Sequence, residues 1–278
     1  MKAFKEFQNE DPSFWAMVKF ASEQLGYTER SSNTVKTYEK DELENLWKKW
    51  NFSYTYDQIS RLKTYTDMRA NLINNKIKSY LMTGEEAKAE FEKLEPLWKK
   101  NNFHCKLPLN KQKGEMKQIA YFTAIINILA EKTIRDCTGN TEKLGFDDDP
   151  HNLTYFYNKN KEIIGTSSRR FDGAYTDTVN PSVVWEIKEY YYNKTFGSRI
   201  ADGVYETQLD GYEFRDLKRN YDYDVYHILF IDAYDTWWNR GKSYLCRLVD
   251  ALNSGAVDEI IIGREVLTRW PNLLRKFV

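Results

Sequence analysis

The stretch DVYHILFIDA, Asp224 to Ala233, constrains the fold of this chain more than any other. It is a continuous apolar run. A strand with one wet face alternates apolar and polar side chains, whereas an unbroken run is expected of a strand buried on both faces. A chain built around such a strand must supply helices to cover it. The surrounding sequence offers them. SRIADGVYETQLDGYEFRDLKRN reads as a helix before the run, part of Tyr234 to Asn253 as a helix after it, VDEIIIG as a last strand, and REVLTRWPNLLRKF as a last helix interrupted near Pro271.

Upstream, the pattern is mainly helical from residue 1 to about 112. DPSFWAMVKFASEQLGY opens on Asp-Pro, and EKDELENLWKKW and EEAKAEFEKLEPLWKK are amphipathic with charged outer faces. Tyr56 to about Met82 also reads as helix. KLPLNKQKG is a connector, and GEMKQIAYFTAIINILAEKTIRDC is the most apolar long helix, with Gly139 as its stop. The period then shortens. LTYFYN, SRRFDGAY and SVVWEIKEYYY are rich in β-branched and aromatic residues and predict three antiparallel strands. Two regions follow: residues 1–112, helical, and residues 113–278, α/β.

Composition narrows the function. With 41 basic and 41 acidic residues the formal charge is zero, so any nucleic-acid surface is local rather than global. Three widely spaced cysteines and three histidines argue against zinc and His-rich metal sites and fit a reducing compartment. No signal-like leader and no membrane-length apolar run is seen, and a cytoplasmic protein of a bacterium or archaeon is expected.

The chemistry concentrates in VVWEIKEYYYN. Residues two apart on a strand share a face, so Glu186 and Lys188 lie with Val184, while Val183, Trp185 and Ile187 take the other face, assigned to the core. A hairpin closing at Asn180–Pro181 brings Asp172 beside Glu186 at the sheet edge. Two adjacent carboxylates repel unless a cation separates them, and Mg²⁺ suits oxygen ligands. A lysine beside a metal-activated water suits phosphodiester hydrolysis.

These residues, RRFDGAY followed by VVWEIK, resemble the PD-(D/E)xK nuclease superfamily over roughly Gly114 to the C-terminus, although Phe171 stands where the family name has proline. The resemblance implies an α/β (α+β) fold with a restriction endonuclease-like αβββαβ core and a mixed central sheet, beside the helical N-terminal region. It implies that Asp172, Glu186 and the Ile187 carbonyl hold Mg²⁺, with Mn²⁺ as a substitute, and that Lys188 positions the attacking water. QLDGY is similar to the QxxxY element of RecB-like members, which implies that Gln208 supports the site and Tyr212 binds the DNA backbone. An acidic residue of the first core helix completes such sites; Glu115 is preferred over Glu131.

Basic residues flank this constellation: Arg169, Arg170, Lys194 and Arg199 are expected to contact phosphates. The polar segment LGYTERSSNTVKTY looks like the recognition loop of some restriction endonucleases, with Arg30, Ser31, Ser32, Asn33 and Lys36 as candidates for reading bases. The expectation is a Mg²⁺-dependent type II restriction endonuclease acting on double-stranded DNA as a homodimer, with a cognate DNA methyltransferase encoded separately. A RecB-like exonuclease or other defence or repair nuclease, a carbohydrate-active hydrolase with paired carboxylates, and a non-catalytic DNA-binding protein are the alternatives.

Overall fold

A computed structural model describes residues 1–110, 118–192 and 198–278. The chain is mixed α/β and about half helical. Helix α1 (Pro12–Leu25) starts where Asp11 accepts the Ser13 N–H and Pro12 takes the first helical position. Within the segment that resembles a recognition loop, β1 (Thr28–Glu29) and β2 (Thr34–Val35) form a short hairpin. Then come α2 (Lys40–Lys49) and α3 (Tyr56–Asn71), the latter opened by a Thr55–Gln58 capping box. A π-type turn at Leu72–Ile77 carries α3 into the short α4 (Lys78–Tyr80), and α5 spans Gly84–Lys100. The first three helices enclose their own apolar cluster around Phe7, Leu43, Ile59 and Tyr65.

The most apolar helix, α6, runs Tyr121–Thr138 and ends on Gly139 in the left-handed region, at φ 69°. Its start falls later than the expected Gly114. Ile119 pairs with Leu109, and the Ala120 N–H donates to the Pro108 carbonyl at 2.8 Å, so the backbone just before α6 is committed to a β-bridge. Helix α5 packs on α6 and shares its core through Ala87 and Phe91. Although it lies within the helical residues 1–112, it is thus built into the C-terminal core.

After α6, the strands are β3 (Tyr155–Tyr157), β4 (Ile163–Thr166), β5 (Gly173–Tyr175) and β6 (Val183–Glu189). They do not form one antiparallel triplet. β3 and β4 make a separate two-stranded ladder, while β5 pairs antiparallel with β6. Helix α7 (Ser198–Tyr221), β7 (Tyr226–Asp232), α8 (Lys242–Asn253), β8 (Glu259–Ile262) and α9 (Val266–Leu274) complete the chain. The main sheet has the order β5-β6-β7-β8, with β6, β7 and β8 parallel. It is a mixed sheet with helices on both faces.

Strand alternation sorts the core. Ile228 and Phe230 of β7 join Val183 and Trp185 of β6 beneath α6 and α9, whereas Leu229 and Ile231 face the cluster of α7 and α8. The expected inner face of β6 is borne out for Val183 and Trp185; Ile187 is half-buried. The opposite face is not wet: Val184, Glu186 and Lys188 are all buried. The outer edge of β8 is occupied by the chain's own start, since the Ile260 N–H donates to the Met1 carbonyl at 3.0 Å. Helix α9 runs through Pro271 without the expected break. Proline inside a helix costs roughly 3 kcal/mol, but Trp270, Leu273 and Leu274 are buried and the Trp270 indole donates to the Ile126 carbonyl at 3.1 Å. That packing outweighs the lost bond. No helix among the described residues is long and apolar enough to cross a membrane.

Candidate active site

The β5–β6 ladder pairs Gly173 with Trp185, so Asp172, one residue earlier, comes opposite Glu186. The close approach depends on the glycine: a Cβ at position 173 would lie 2.1 Å from the Trp185 ring. The Asp172 N–H donates to the Trp185 carbonyl at 3.0 Å, and Asp172 Oδ2 accepts the Ile187 N–H at 2.7 Å. The sequence hairpin thus brings Asp172, Glu186 and Lys188 together.

Helix α7 roofs this group. Lys188 runs beneath Gly203, where an added Cβ would stand 3.3 Å from the lysine Cε. Its Nζ donates to Glu186 Oε1 at 2.5 Å and to Glu206 Oε2 at 2.6 Å. Arg169 reaches in from the segment before β5. Its Nε and Nη2 hold Asp210 Oδ1 and Oδ2 at 3.0 and 2.6 Å, and its Nη1 donates to Glu186 Oε2 at 2.8 Å. Both oxygens of Glu186 are therefore engaged by cations. Asp210 is fully buried, and His227 lies behind it with Nε2 3.7 Å away.

The electrostatics follow from burial and these pairs. Burial alone would raise Glu186, but Lys188 and Arg169 together outweigh it and hold its carboxyl below the usual range. Burial works against the Lys188 ammonium, yet Glu186 and the other acceptors win and raise it, so it stays charged. Asp210 is pushed up to about 6 by burial, with Arg169 opposing. His227 is pushed down to about 4, chiefly by burial, and is neutral at pH 7. Asp172 is pushed up to about 7 by its dense surroundings and then by Glu186. Its side chain is exposed to solvent on one side, which moderates that desolvation.

With all four carboxyls ionised, Asp172, Glu186, Glu206 and Asp210 face, among the described residues, Arg169 and Lys188, leaving two excess negative charges within that group. That charge and the all-oxygen donor chemistry suit one hard divalent ion. Asp172 and Glu186 are the residues that would hold it. The fit has a condition: Glu186 Oε2 must first be freed from Arg169. Among the described residues, no three His, Cys, Asp or Glu side chains already converge at metal-ligand spacing. The part of Ile187 that meets Asp172 is its N–H, not its carbonyl.

Other expected residues fall elsewhere. Gln208 is half-buried and Tyr212 is exposed, and both turn away from the cluster. At 100° per residue, Gln208 lies about 160° round the helix from Glu206. The site-facing acids of α7 are Glu206 and Asp210, which the sequence reading missed; an aspartate within the inward stripe Gly203, Thr207, Asp210, Phe214 was the available signal. Glu115 and Lys194 lie outside the described residues, as does the side chain of Arg199. Glu131, the other acidic candidate, is fully buried and accepts the His104 and Cys105 N–H groups at 2.9 and 2.7 Å, so it secures a loop far from this cluster in the chain.

Arg169 is spent on Glu186 and Asp210 rather than presented to solvent as a phosphate contact, while Arg170 is exposed. Arg30, Ser31, Ser32 and Asn33 form the exposed turn of the β1–β2 hairpin. Within it, Ser31 bonds Glu29, Ser32 bonds Thr34, and Asn33 Oδ1 accepts Lys242 Nζ at 2.7 Å. Lys36 pairs with Glu42 at 2.6 Å. Arg30 itself is exposed.

The fold and cluster define a layered α/β protein with a buried, carboxylate-rich ionic site between a mixed sheet and one crossover helix. The chain belongs to the family described as domain of unknown function DUF7687, whose model matches residues 82–277. A second model, domain of unknown function DUF7690, matches residues 1–76. No curated protein and no solved structure matches the chain.

Proposed function

We propose that the protein is a metal-dependent nuclease of the PD-(D/E)xK kind, acting on double-stranded DNA as a type II restriction endonuclease and working as a homodimer. One observation carries the reading: the β5–β6 register sets Asp172 against Glu186 and Ile187, with Lys188 on the same strand face. In this reading Asp172 and Glu186 hold Mg²⁺ or Mn²⁺. When bound, the ion acidifies a water and neutralises charge on the scissile phosphate. Lys188, bonded to Glu186 and Glu206, donates a hydrogen bond that orients water or a phosphate oxygen. Asp210 and Glu206 are positioning residues for Arg169 and Lys188.

A second reading rests on a different observation. Both Glu186 oxygens are already satisfied by Lys188 and Arg169, as in an ion-pair network that only holds α7 to the sheet. Incubation with closed circular and linear DNA in Mg²⁺, Mn²⁺ or EDTA separates the two. The nuclease reading expects cleavage that needs metal and falls by about 100-fold or more in Asp172→Asn and Lys188→Ala. Discrete bands from circular DNA mean a sequence-specific endonuclease, and degradation confined to linear ends means an exonuclease. No cleavage by the unmodified protein with either metal, on any of these DNAs, leaves the structural reading.

A further inference from the structure

We infer that Arg169 is a built-in counter-ion that competes with the metal for Glu186, so that the site loads only when the Nη1–Glu186 bond opens. The inference rests on the nuclease reading and concerns how that same site is regulated.

The two halves of the guanidinium are held unequally. Nε and Nη2 form a two-pronged bond to Asp210, whose carboxyl has no accessible surface. Leaving Asp210 would strand a buried charge, which makes that contact the anchor. Among the described residues, Nη1 donates to Glu186 Oε2 at 2.8 Å and, more weakly, to the Arg170 carbonyl at 3.4 Å. With the planar guanidinium pinned at Asp210, the Nη1–Glu186 bond opens by rotation of the Glu186 carboxylate while the anchor stays in place.

The choice of oxygen matters as well. Lys188 holds Oε1 at 2.5 Å, so Oε2 is the oxygen whose freedom decides whether Glu186 can join Asp172 around an ion. The segment that carries the arginine is also fixed to α7, because the Ser168 N–H donates to Glu213 Oε2 at 3.1 Å. Arg169, Asp210 and Glu213 together make the approach of α7 to β5 and the availability of Glu186 one coupled matter.

The test measures metal binding without nucleic acid. Mn²⁺ is titrated calorimetrically into the full chain, the Asp172→Asn variant and the paired Arg169→Gln/Asp210→Asn variant, which exchanges the ion pair for neutral hydrogen-bonding groups. Circular dichroism checks folding. Should the pair not fold, Arg169→Lys replaces it, since an ammonium can hold Asp210 without forking to Glu186. The expected result is binding about tenfold tighter in the folded Arg169 variant, because no guanidinium then holds Glu186 Oε2 while the net charge of the cluster is unchanged. Equal or weaker binding there, with Asp172-dependent binding in the unmodified protein, overturns this inference alone. Absence of Mn²⁺ binding in every form overturns both this inference and the nuclease reading.

Discussion

Asp232 shows how far one residue can be driven by its place. It closes β7 with no accessible surface, and its Oδ1 accepts the Met82 and Ala233 N–H groups at 2.8 and 2.9 Å, while the Tyr191 hydroxyl donates to Oδ2. Burial outweighs those donors and pushes the carboxyl from the ordinary 3.8 up to about 8. The folded chain thus keeps a proton that the unfolded chain gives up. This residue's contribution to stability is complete below about pH 4 and is lost as pH rises through about 8. Asp232→Asn keeps the acceptor for Met82 and removes the ionisation. Its melting temperature should match that of the parent near pH 4 and exceed it by several degrees at pH 9. Parallel melting curves across that whole range would refute the argument.

Helix α7 is the element on which the candidate site depends, and its periodicity explains which residues could be anticipated. Positions 200, 204, 208 and 212 look like one face, but each step of four drifts by about 40°. Ile200 and Val204 are buried accordingly, Gln208 has reached the rim, and Tyr212 stands in solvent. The same rotation carries Glu206 and Asp210 toward β6. The helix lies close because Gly211 has no side chain: a Cβ there would sit 2.2 Å from the Ala256 carbonyl oxygen. Gly211→Ala would gain about 1 kcal/mol of helix propensity. Overpacking against backbone costs about 1–3 kcal/mol or more, and this carbonyl cannot swing aside as a side chain would. A net loss of stability is therefore expected in urea titrations. An unchanged or raised midpoint would mean that α7 can shift outward at no cost.

At the scale of the molecule, the parts matched by the two family models are joined by a buried ionic contact. Arg69 of α3 has no accessible surface and holds Asp250 of α8 with Nη1 at 3.0 and 2.8 Å, while the Tyr65 hydroxyl donates to Asp250 at 2.6 Å. Around it, Ala70, Ile73 and Ile77 share an apolar cluster with Leu229, Ile231 and Leu248. Removing one partner of a buried pair costs about 3–5 kcal/mol, whereas replacing both with apolar side chains of similar size is often close to neutral. Asp250→Ala should lower stability by that amount, and Arg69→Met with Asp250→Leu should recover most of it. If unfolding of Asp250→Ala, followed by both fluorescence and circular dichroism, matched the parent, the contact would not couple the two parts.

The sequence by itself determined the strongly periodic elements. The apolar run ending at Asp232, the helices that cover it and the Asn180–Pro181 hairpin aligning Asp172 with Glu186 all follow from local pattern, because alternation and helical spacing report burial directly. Only the tertiary structure decided what lies over Glu186 and Lys188. A solvent face and a face roofed by a helix can carry the same two residues two apart, and the distinction comes from Gly203, Glu206 and Asp210, more than a dozen residues further on. Arg169 shows the same limit: its charge is visible in the sequence, but its partners are not. Which carboxylates a guanidinium satisfies depends on distances that close only when β5, β6 and α7 have packed.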